Sequence, residues 1–350
     1  MKISRYATVV ILSVAFLTLV LFVVNLFVGS VEIPFGDTLR VLMGGDAEKL
    51  SHSYIIIHSR VPAAVTSLLC GASLAVSGLM LQTAFNNPLA GPSILGINSG
   101  ANLGVALVML AGGSGFMSSL LVSAPSLSSF CSSLPIIIAA FVGAMAVMAV
   151  ILLFSTVIRS NIMLLIVGIM LGYITSSAIS LLNFFATEEG VHSFVIWGMG
   201  NFSGVSLEQL PLFSSFCCVG LLLSVLLIKP LNALLLGTQY AENLGINIRR
   251  TRNMLLFATG LLTAVTTAYC GPVAFIGLAV PHIARLLLGS DNHRQLLPLT
   301  ILCGAAVALV CNVISTLPGE NGIIPLNAIT PLLGAPVIIY VILSKRIRHT

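Results

Sequence analysis

The chain has 350 residues, of which 57% are hydrophobic and only 7% are charged, and its formal net charge is +5. Because a soluble domain carries roughly a quarter charged residues, this composition excludes a soluble enzyme and a soluble nucleic-acid-binding module. The apolar content also excludes a disordered chain, which leaves an integral membrane protein with several spans.

Ten uncharged apolar segments predict transmembrane helices, since a bilayer core needs about 20 apolar residues per helix. They cover residues 6–29, 61–82, 93–112, 134–156, 162–186, 210–228, 253–270, 272–288, 296–317 and 328–344. The first apolar run is too long for the core of a secretory signal, so we expect it to be a span. The predicted fold is an all-α polytopic membrane protein, with one transmembrane domain over residues 1–350.

Lys and Arg collect in every second connection if the N-terminus lies in the cytoplasm, as the positive-inside rule requires. The inner set is Lys2, Arg5, Arg159, Lys229, Arg249, Arg250, Arg252, Arg285, Arg294, Lys345, Arg346 and Arg348, and the outer set is Arg40, Lys49 and Arg60. Eight of the ten acidic residues fall on the outer side. We therefore predict a multi-pass protein of the cytoplasmic membrane with both termini in the cytoplasm.

The first distinctive region runs over residues 60–101. Two Asn, two Pro and a Gly lie within Asn86–Pro92, a polar break between two apolar helices. The prolines fix the turn, and the Asn side chains can satisfy backbone groups that the break exposes.

Small residues recur at helix-packing spacing in two glycine ladders. They are Gly96, Gly100 and Gly104, and then Gly168 and Gly172. In lipid such stripes let helix backbones approach closely. Packing inside one subunit and lining of a pathway or dimer interface both remain open.

The second region, residues 231–252, is the longest inward connection and is amphipathic. Tyr240, Leu244 and Ile248 recur at i, i+4 and i+8, with Gly245 breaking the helix. This pattern fits a loop that docks against a cytoplasmic partner, but it fits equally a helix held on the anionic inner leaflet by the following arginines.

The third region, residues 271–294, is a short span with His282 and Arg285 near its inner end. A lone His near a helix end is more often a capping or packing residue than a ligand. The seven Cys are scattered without metal-ligand spacing, so we expect small buried apolar residues there.

No Asp, Glu, Lys or Arg falls near the middle of a predicted span, whereas ion-coupled carriers usually place an ionisable residue there. A carrier that coordinates sodium through backbone carbonyls stays possible. None of the four lysines follows a Gly, so no G-x-x-x-x-G-K-[ST] phosphate-binding loop exists. If transport is active, the motor is another polypeptide.

Several blocks in the same order resemble the FecCD-type permeases, the membrane subunits of type II ABC importers. Arg60-Val61-Pro62 resembles the R-x-P motif at the outer end of the family's second helix. The blocks GASLAVSGLMLQTAFNNPLAGPSILGINSGA, LLLGTQYAENLGI, GPVAFIGLAVPHIARLLLG and PLLGAP are similar to the family's most distinctive stretches. The resemblance spans about residues 55–345.

This resemblance implies a ten-helix permease with an inverted repeat, paired with a second permease, most simply an identical one. It implies two copies of an ATPase subunit, which binds the ATP and Mg, and an extracytoplasmic substrate-binding protein. No cofactor is expected on this chain, and no nucleic acid. The cargo implied is an iron-siderophore, haem or vitamin B12, with an oxyanion also open and a stand-alone secondary carrier for a small solute as the alternative.

The resemblance also implies roles for individual residues. The ATPase-coupling set is Gly237, Tyr240, Glu242, Leu244, Gly245 and Ile248, and the cytoplasmic gate set is Asn87, Leu89, Ser160 and Asn161. Arg60 would pair with an acidic residue of the binding protein. Ala63 and Thr316 stand where relatives often have Arg, and Glu188, Glu189 and Glu320 make the outer segments acidic. The outer face thus departs from the family's usual docking pattern and suits a partner of reversed charge.

Overall fold

A computed structural model describes residues 5–110, 130–158, 160–318 and 322–347, and every regular element in these ranges is helical. This confirms the all-helical prediction. Lys2, Arg159, Glu320 and Arg348, which the charge and docking predictions used, lie outside the described residues.

The helices follow one another along the chain with short connections. They are α1 Arg5–Phe27, α2 Phe35–Leu42, α3 Leu50–Ile55, α4 Val61–Ala84, α5 Ile97–Met109, α6 Phe130–Val157, α7 Asn161–Phe185, α8 Glu188–Gly198, α9 Leu210–Leu226, α10 Ile228–Leu234, α11 Thr238–Asn243, α12 Ile248–Cys270, α13 Ile276–Leu288, α14 His293–Thr316 and α15 Leu326–Ile347. A π-helical turn, Ile56–Arg60, joins α3 to α4.

Each of the ten predicted spans overlaps one of these helices. By length and composition, six helical stretches of the described chain can cross a membrane alone, and a seventh follows if α9 and α10, bent by 51°, form one span. The helices α5 and α13 have only 13 described residues each. They begin later than predicted, because Gly96 directly before α5 and Phe275 directly before α13 have φ of 74° and 66°, which an α-helix does not adopt.

Side-chain contacts give the relative directions of neighbouring helices. Thr18 of α1 donates to the carbonyl of Leu302 in α14, and Asn25 donates to the carbonyl of Leu309. Both contacts advance by seven residues on each helix, so α1 and α14 run the same way. These helices are the first and ninth predicted spans, and two odd-numbered spans must run in the same direction when successive spans alternate.

Helices α6 and α12 run in opposite directions. Met148 lies against Gly260, and seven residues further along α6 the hydroxyl of Ser155 donates to Asn253, which lies seven residues earlier in α12. This pairing of the fourth and seventh spans also agrees with the alternation.

The two halves of the chain have matching elements. Helices α4 to α7 contain 24, 13, 28 and 25 residues, and α12 to α15 contain 23, 13, 24 and 22. The first helix of each half packs against the third helix of the other half, through Gly71 with Gly304 and through Gly260 with Met148. This reciprocal packing is what the inverted repeat predicts.

The best-buried helices are therefore α4 and α12, at the centre of the bundle. In the helix that ends at Ala84, 83% of its own apolar 18-residue stretch is buried, and in α12 the corresponding share is 78%. In α1 the share is only 11%. Helices at the edge keep their apolar faces outward, as a bilayer allows.

Candidate functional site

The turn between α4 and α5 lies at the end of the bundle that also carries α10 and α11, which we call the inner end. Asn86 has φ of 47°, a left-handed conformation that Asn tolerates better than most residues. The side-chain oxygen of Asn87 accepts from the backbone N–H of Leu89 at 2.9 Å, which forms an Asx turn. The side chain of Asn87 thus satisfies a backbone group of the turn, as the sequence predicted, while Asn86 contributes its left-handed backbone conformation.

The neighbouring inner turn, between α6 and α7, contacts this one. The amide of Asn161 donates to the carbonyl of Ala84 at 3.1 Å, at the end of α4. Ser160 caps α7 by accepting from the backbone N–H of Met163. The structure therefore brings Asn161 to the turn of Asn87 and Leu89, and 43% of Leu89 is exposed. Their gating role remains a prediction.

A cavity of about 480 Å³ opens beside the first turn. Its lining is about half polar and comes from α4, α10, α13, α15 and the turns beside them, with Gln82, Asn87, His282, Arg285 and Asp291 among its residues. The volume lies within the ordinary range of small-molecule sites.

Two side chains of α13 contact the inner end of α4 and the turn that follows it. The ring nitrogen Nε2 of His282 lies 2.8 Å from the carbonyl oxygen of Pro88. Arg285 donates to Gln82 of α4 at 2.5 Å and pairs with Asp291 at 3.2 Å. His282 thus has the packing role that the sequence favoured, and Arg285 joins α13 to α4.

A second chain of polar contacts runs from α4 to the inner connection. Nε2 of His293, at the start of α14, lies 2.9 Å from the hydroxyl of Thr83. The side-chain oxygen of Asn232, in α10, lies 2.8 Å from the backbone nitrogen of His293 and 3.1 Å from its Nδ1. His293 is fully buried and bridges the end of α4 and the helix that leads into the predicted coupling loop.

We use the name coupling segment for residues 235–248. Its apolar side chains project outward, with Leu236, Tyr240 and Leu244 between 60% and 67% exposed. Ala241 alone anchors α11 against the protein, with no exposed surface. A short helix with a fixed base and an exposed apolar edge is suited to bind a groove on another protein.

Two glycines define the ends of this short helix. Gly237 has φ of +96° and Gly245 has φ of +80°, conformations that strain other residues. The chain turns at Gly245, where its N–H donates to the carbonyl of Glu242 at 2.8 Å. The helix breaks at Gly245 as predicted, because α11 ends at Asn243 and Ile248 begins α12.

The arginines after the coupling segment attach it to α6. Arg252 donates to the carbonyl of Ile158 at 3.0 Å, and Arg249 donates to the carbonyl of Thr156. Both bonds reach the last turn of α6, where backbone carbonyls lack partners within the helix. A displacement of α12 would therefore move the end of α6 and the turn that holds Asn161.

The predicted glycine ladders are sites of close packing within the chain. A Cβ on Gly100 would lie 2.5 Å from the carbonyl oxygen of Gly143, and one on Gly104 would lie 2.0 Å from that of Ala139. A Cβ on Gly96 would lie 2.8 Å from the carbonyl oxygen of Gly168, in α7. Gly172 has more room, since a Cβ there would lie 3.5 Å from its nearest neighbour, the hydroxyl oxygen of Ser99. This geometry favours the packing alternative for the ladder on α5.

Arg60 lies at the opposite, outer end but is only 6% exposed. Its guanidinium donates to the carbonyls of Leu26 at 3.1 Å, Phe27 at 2.6 Å and Val31 at 2.5 Å. Arg60 therefore caps the C-terminal end of α1. Its donors are directed to these carbonyls and not outward, so in this conformation the side chain does not present its charge to a docking protein.

Other outer features are more accessible. Glu188 and Glu189 are exposed at the start of α8. Ala63 is buried and Thr316 is half-buried, with its hydroxyl bonded to the carbonyl of Val313 at 3.0 Å. Exposed acidic residues thus remain on this face, while the positions where relatives often have Arg carry no charge.

An ion pair connects two short outer helices. Nδ1 of His52 lies 2.7 Å from Oδ2 of Asp37, which joins α3 to α2. The hydrogen bond from His52 holds the pKa of the Asp37 carboxyl below its ordinary value of 3.8. This pair stabilises the outer connection ahead of Arg60.

Sequence reasoning missed Gln82, Thr83, Asn232 and His293, which join the inner turn to the coupling segment. Each lies within a few residues of the inner end of a predicted helix. Polar side chains at such positions were the available signal, but their pairing depends on helix packing across more than 60 residues of sequence.

Comparison with known proteins gives consistent matches. A profile of the FecCD transport family matches residues 17–344. The vitamin B12 import system permease protein BtuC of Citrobacter koseri is 35% identical over 295 residues, which cover 82% of each chain. The protein of the same name from Klebsiella pneumoniae is 34% identical over 331 residues, 94% of this chain and 92% of that one. A solved metal-chelate type ABC transporter in an inward-facing conformation superposes with a TM-score of 0.81 and 28% identity, over 95% of this chain and 98% of the other.

Proposed function

The chain belongs to the FecCD transport family of ABC transporter permeases, and on that premise we propose that it is the membrane subunit of an importer for a metal chelate. The cargo would be an iron-siderophore, haem or vitamin B12. The cargo class is supported by the names of the similar proteins, which are a vitamin B12 permease and a metal-chelate transporter.

The observation that carries the proposal is the coupling segment. Its apolar side chains are exposed beyond the end of the bundle, on a helix held by two glycines with positive φ. A separate ATPase subunit, present twice in the assembly, would receive this helix in a groove. The ATP and Mg would be bound there, and this chain would carry out no bond chemistry.

Two structural connections would transmit the movement of the ATPase. Asn232 and His293 join α10 to the end of α4, and Arg249 and Arg252 join α12 to the end of α6. Both connections end at the inner turns that contain Asn87 and Asn161. Movement of the coupling segment would therefore change the distance between these turns and open the exit.

The transport pathway would form between two permease subunits, most simply two copies of this chain. A substrate-binding protein would deliver the chelate at the outer end. Because Arg60 caps α1, we assign the outer contact to exposed acidic residues such as Glu188 and Glu189, which favours a delivery protein with basic residues at the contact.

Transport into vesicles tests the proposal. The chain is reconstituted with its ATPase subunit and supplied with labelled cobalamin, a ferric siderophore or haem on the matching binding protein. We expect uptake of one of these to require ATP and both protein partners. Uptake driven by an ion gradient without the ATPase would contradict the proposal and indicate a secondary carrier.

A pair of variants tests the connection through His293. Asn232→Leu removes both contacts to His293, and we expect uptake per ATP hydrolysed to fall about tenfold while the ATPase stays bound. Asn232→Asp keeps an acceptor oxygen and should retain most of the coupling. Equal uptake per ATP in the two variants would contradict this pathway.

A further inference from the structure

A groove on the surface of the bundle lies between α6, α9 and α12, near the inner end. Its volume is about 960 Å³, and its walls are mostly aliphatic, with Leu152, Leu153, Leu223 and Met254 among the lining residues. Leu153 is 67% exposed and Met254 is 43% exposed. The proposed coupling and gating functions use none of these side chains.

The mouth of the groove is basic. Arg249 and Arg250 line it at the inner end, and both are exposed. Among the described residues neither arginine has a carboxylate within ion-pair distance, since the ion pairs found there involve Arg285 with Asp291 and His52 with Asp37. Arg249 has one backbone partner on α6, but the described chain shows no partner for the guanidinium of Arg250.

The start of α12 adds to this positive end. Helix α12 has 23 residues and begins at Ile248, so the positive end of its dipole lies beside the two arginines. The groove therefore has positive charge at the membrane surface and an apolar channel that extends into the bilayer.

The length of the groove fits one leaflet. It extends along α12 from Arg249 to Phe257. The eight helical steps between these two residues rise about 12 Å, close to half of a hydrocarbon core of about 30 Å. A ligand with an anionic head and an apolar tail of leaflet length would match both the charge and the depth.

A second apolar groove provides a contrast. It lies between α1, α13, α14 and α15, has a volume of about 300 Å³, and includes no charged residue in its lining. An acyl chain alone can enter such a groove, but the groove has no means of selecting an anionic headgroup. Of these two grooves, only the one at Arg250 can select a headgroup by charge.

We propose that the groove between α6, α9 and α12 binds an anionic phospholipid, with its headgroup phosphate at Arg249 and Arg250 and an acyl chain along Leu152, Leu223 and Met254. The lipid would lie beside the bonds that attach α12 to the end of α6. Its presence would thus strengthen the inner end of the bundle. This site goes beyond the proposed transport function and does not depend on it.

Lipid retention measured by native mass spectrometry tests the site. The full-length chain is purified in detergent and mixed with dioleoylphosphatidylglycerol or dioleoylphosphatidylcholine. We expect a retained adduct with the first lipid and at least fivefold less with the second. Equal retention of the two lipids would overturn the proposal, because the arginines would then contribute nothing.

Two variants and a matched control locate the adduct. Arg250→Gln should lower retention of phosphatidylglycerol about fivefold, the effect of one basic residue near a membrane surface. Ala149→Trp, which fills the groove without touching the arginines, should lower it at least as much. Arg294→Gln removes an exposed arginine from another inner position and should change nothing. Loss of binding in Arg294→Gln equal to that in Arg250→Gln would contradict the site.

Two further measurements separate other occupants. Glycerol phosphate supplies the headgroup without a tail, and binding of it as strong as that of the lipid would contradict the use of the groove. A second copy of this chain would appear as a dimer mass that Ala149→Trp abolishes, and that outcome would also overturn the proposal. The assay contains no ATPase and no transport substrate, so its result is independent of the proposed function.

Discussion

Among the described glycines, Gly78 leaves the least room for an added Cβ and gives a quantitative test of the packing. A Cβ at this position would lie 1.6 Å from the carbonyl oxygen of Gly277, on α13. Ordinary van der Waals contact begins at 3.4 Å. Because the obstructing atom belongs to the backbone, no side-chain rotation can relieve the contact, and Gly78→Ala must separate α4 from α13.

The expected cost follows from the size of this displacement. The helices must separate by up to about 1.8 Å at Gly78, in an interior that is packed as densely as a crystal. Overpacking of this kind costs about 3 kcal/mol or more. For a chain of this length, that corresponds to a melting temperature lower by roughly 6 °C.

A thiol-reactive dye measures the effect in a background in which Cys131 and Cys218 are replaced by Ser, because Cys218 is exposed, contrary to the prediction of buried cysteines. Cys70, Cys217, Cys270, Cys303 and Cys311 are buried and react only on unfolding. The control is Gly198→Ala, where nothing lies within 4 Å of the added carbon. Gly172→Ala, with its nearest neighbour at 3.5 Å, should behave like this control. If Gly78→Ala melts within about 1 °C of Gly198→Ala, the contact between α4 and α13 is misplaced and the packing argument fails.

Three further predictions concern the coupling segment and the outer end. Gly245→Pro cannot adopt the φ of +80° and loses the N–H that bonds to Glu242. Co-purification with the ATPase should therefore be lost, while membrane insertion stays normal. Retained co-purification would refute the assigned geometry. Arg60→Leu leaves the carbonyls of Leu26, Phe27 and Val31 without their hydrogen-bond donor. The free energy of unfolding should fall by about 3 kcal/mol and the melting temperature by several degrees. The control Arg40→Leu, at an exposed position, should have little effect. The lowered pKa of Asp37 means that its pair with His52 stabilises the fold above the ordinary pKa of 3.8, and that this contribution disappears as the pH falls through the lowered value. Circular dichroism melts should therefore separate Asp37→Asn from the unchanged chain at pH 6, and the two should converge in acid; a constant difference would exclude this pair as the cause.

The helical fold could be predicted from the sequence because the bilayer imposes length and polarity on every span. The alternation of basic and acidic connections predicted the relative directions of the helices, and the contacts of Thr18 and Asn25 with α14 agree with it. The short helices α5 and α13 were predicted too long. Apolar composition alone does not reveal where a residue with positive φ delays the start of a helix, as Gly96 does before Ile97 and Phe275 does before Ile276.

The candidate site was predicted in part. The turn of Asn87 and the exposed helix around Tyr240 follow from local signals, namely Asn and Pro spacing and glycines that flank an apolar helix. The pairing of His293 with Thr83 and Asn232 could not be predicted, since it joins three helices that are distant in sequence. Arg60 shows the limit of charge counting, because an arginine at a helix end can bond to backbone carbonyls within the protein.

The central claim is that a separate ATPase subunit drives the conformational change of this chain through the coupling segment. Leu244→Cys, in a background without other cysteines, can be labelled with a membrane-impermeant thiol reagent in inside-out and right-side-out vesicles. We predict labelling only in inside-out vesicles and loss of that labelling when the ATPase subunit is added. Labelling in right-side-out vesicles, or full labelling in the presence of the bound ATPase, would contradict the account.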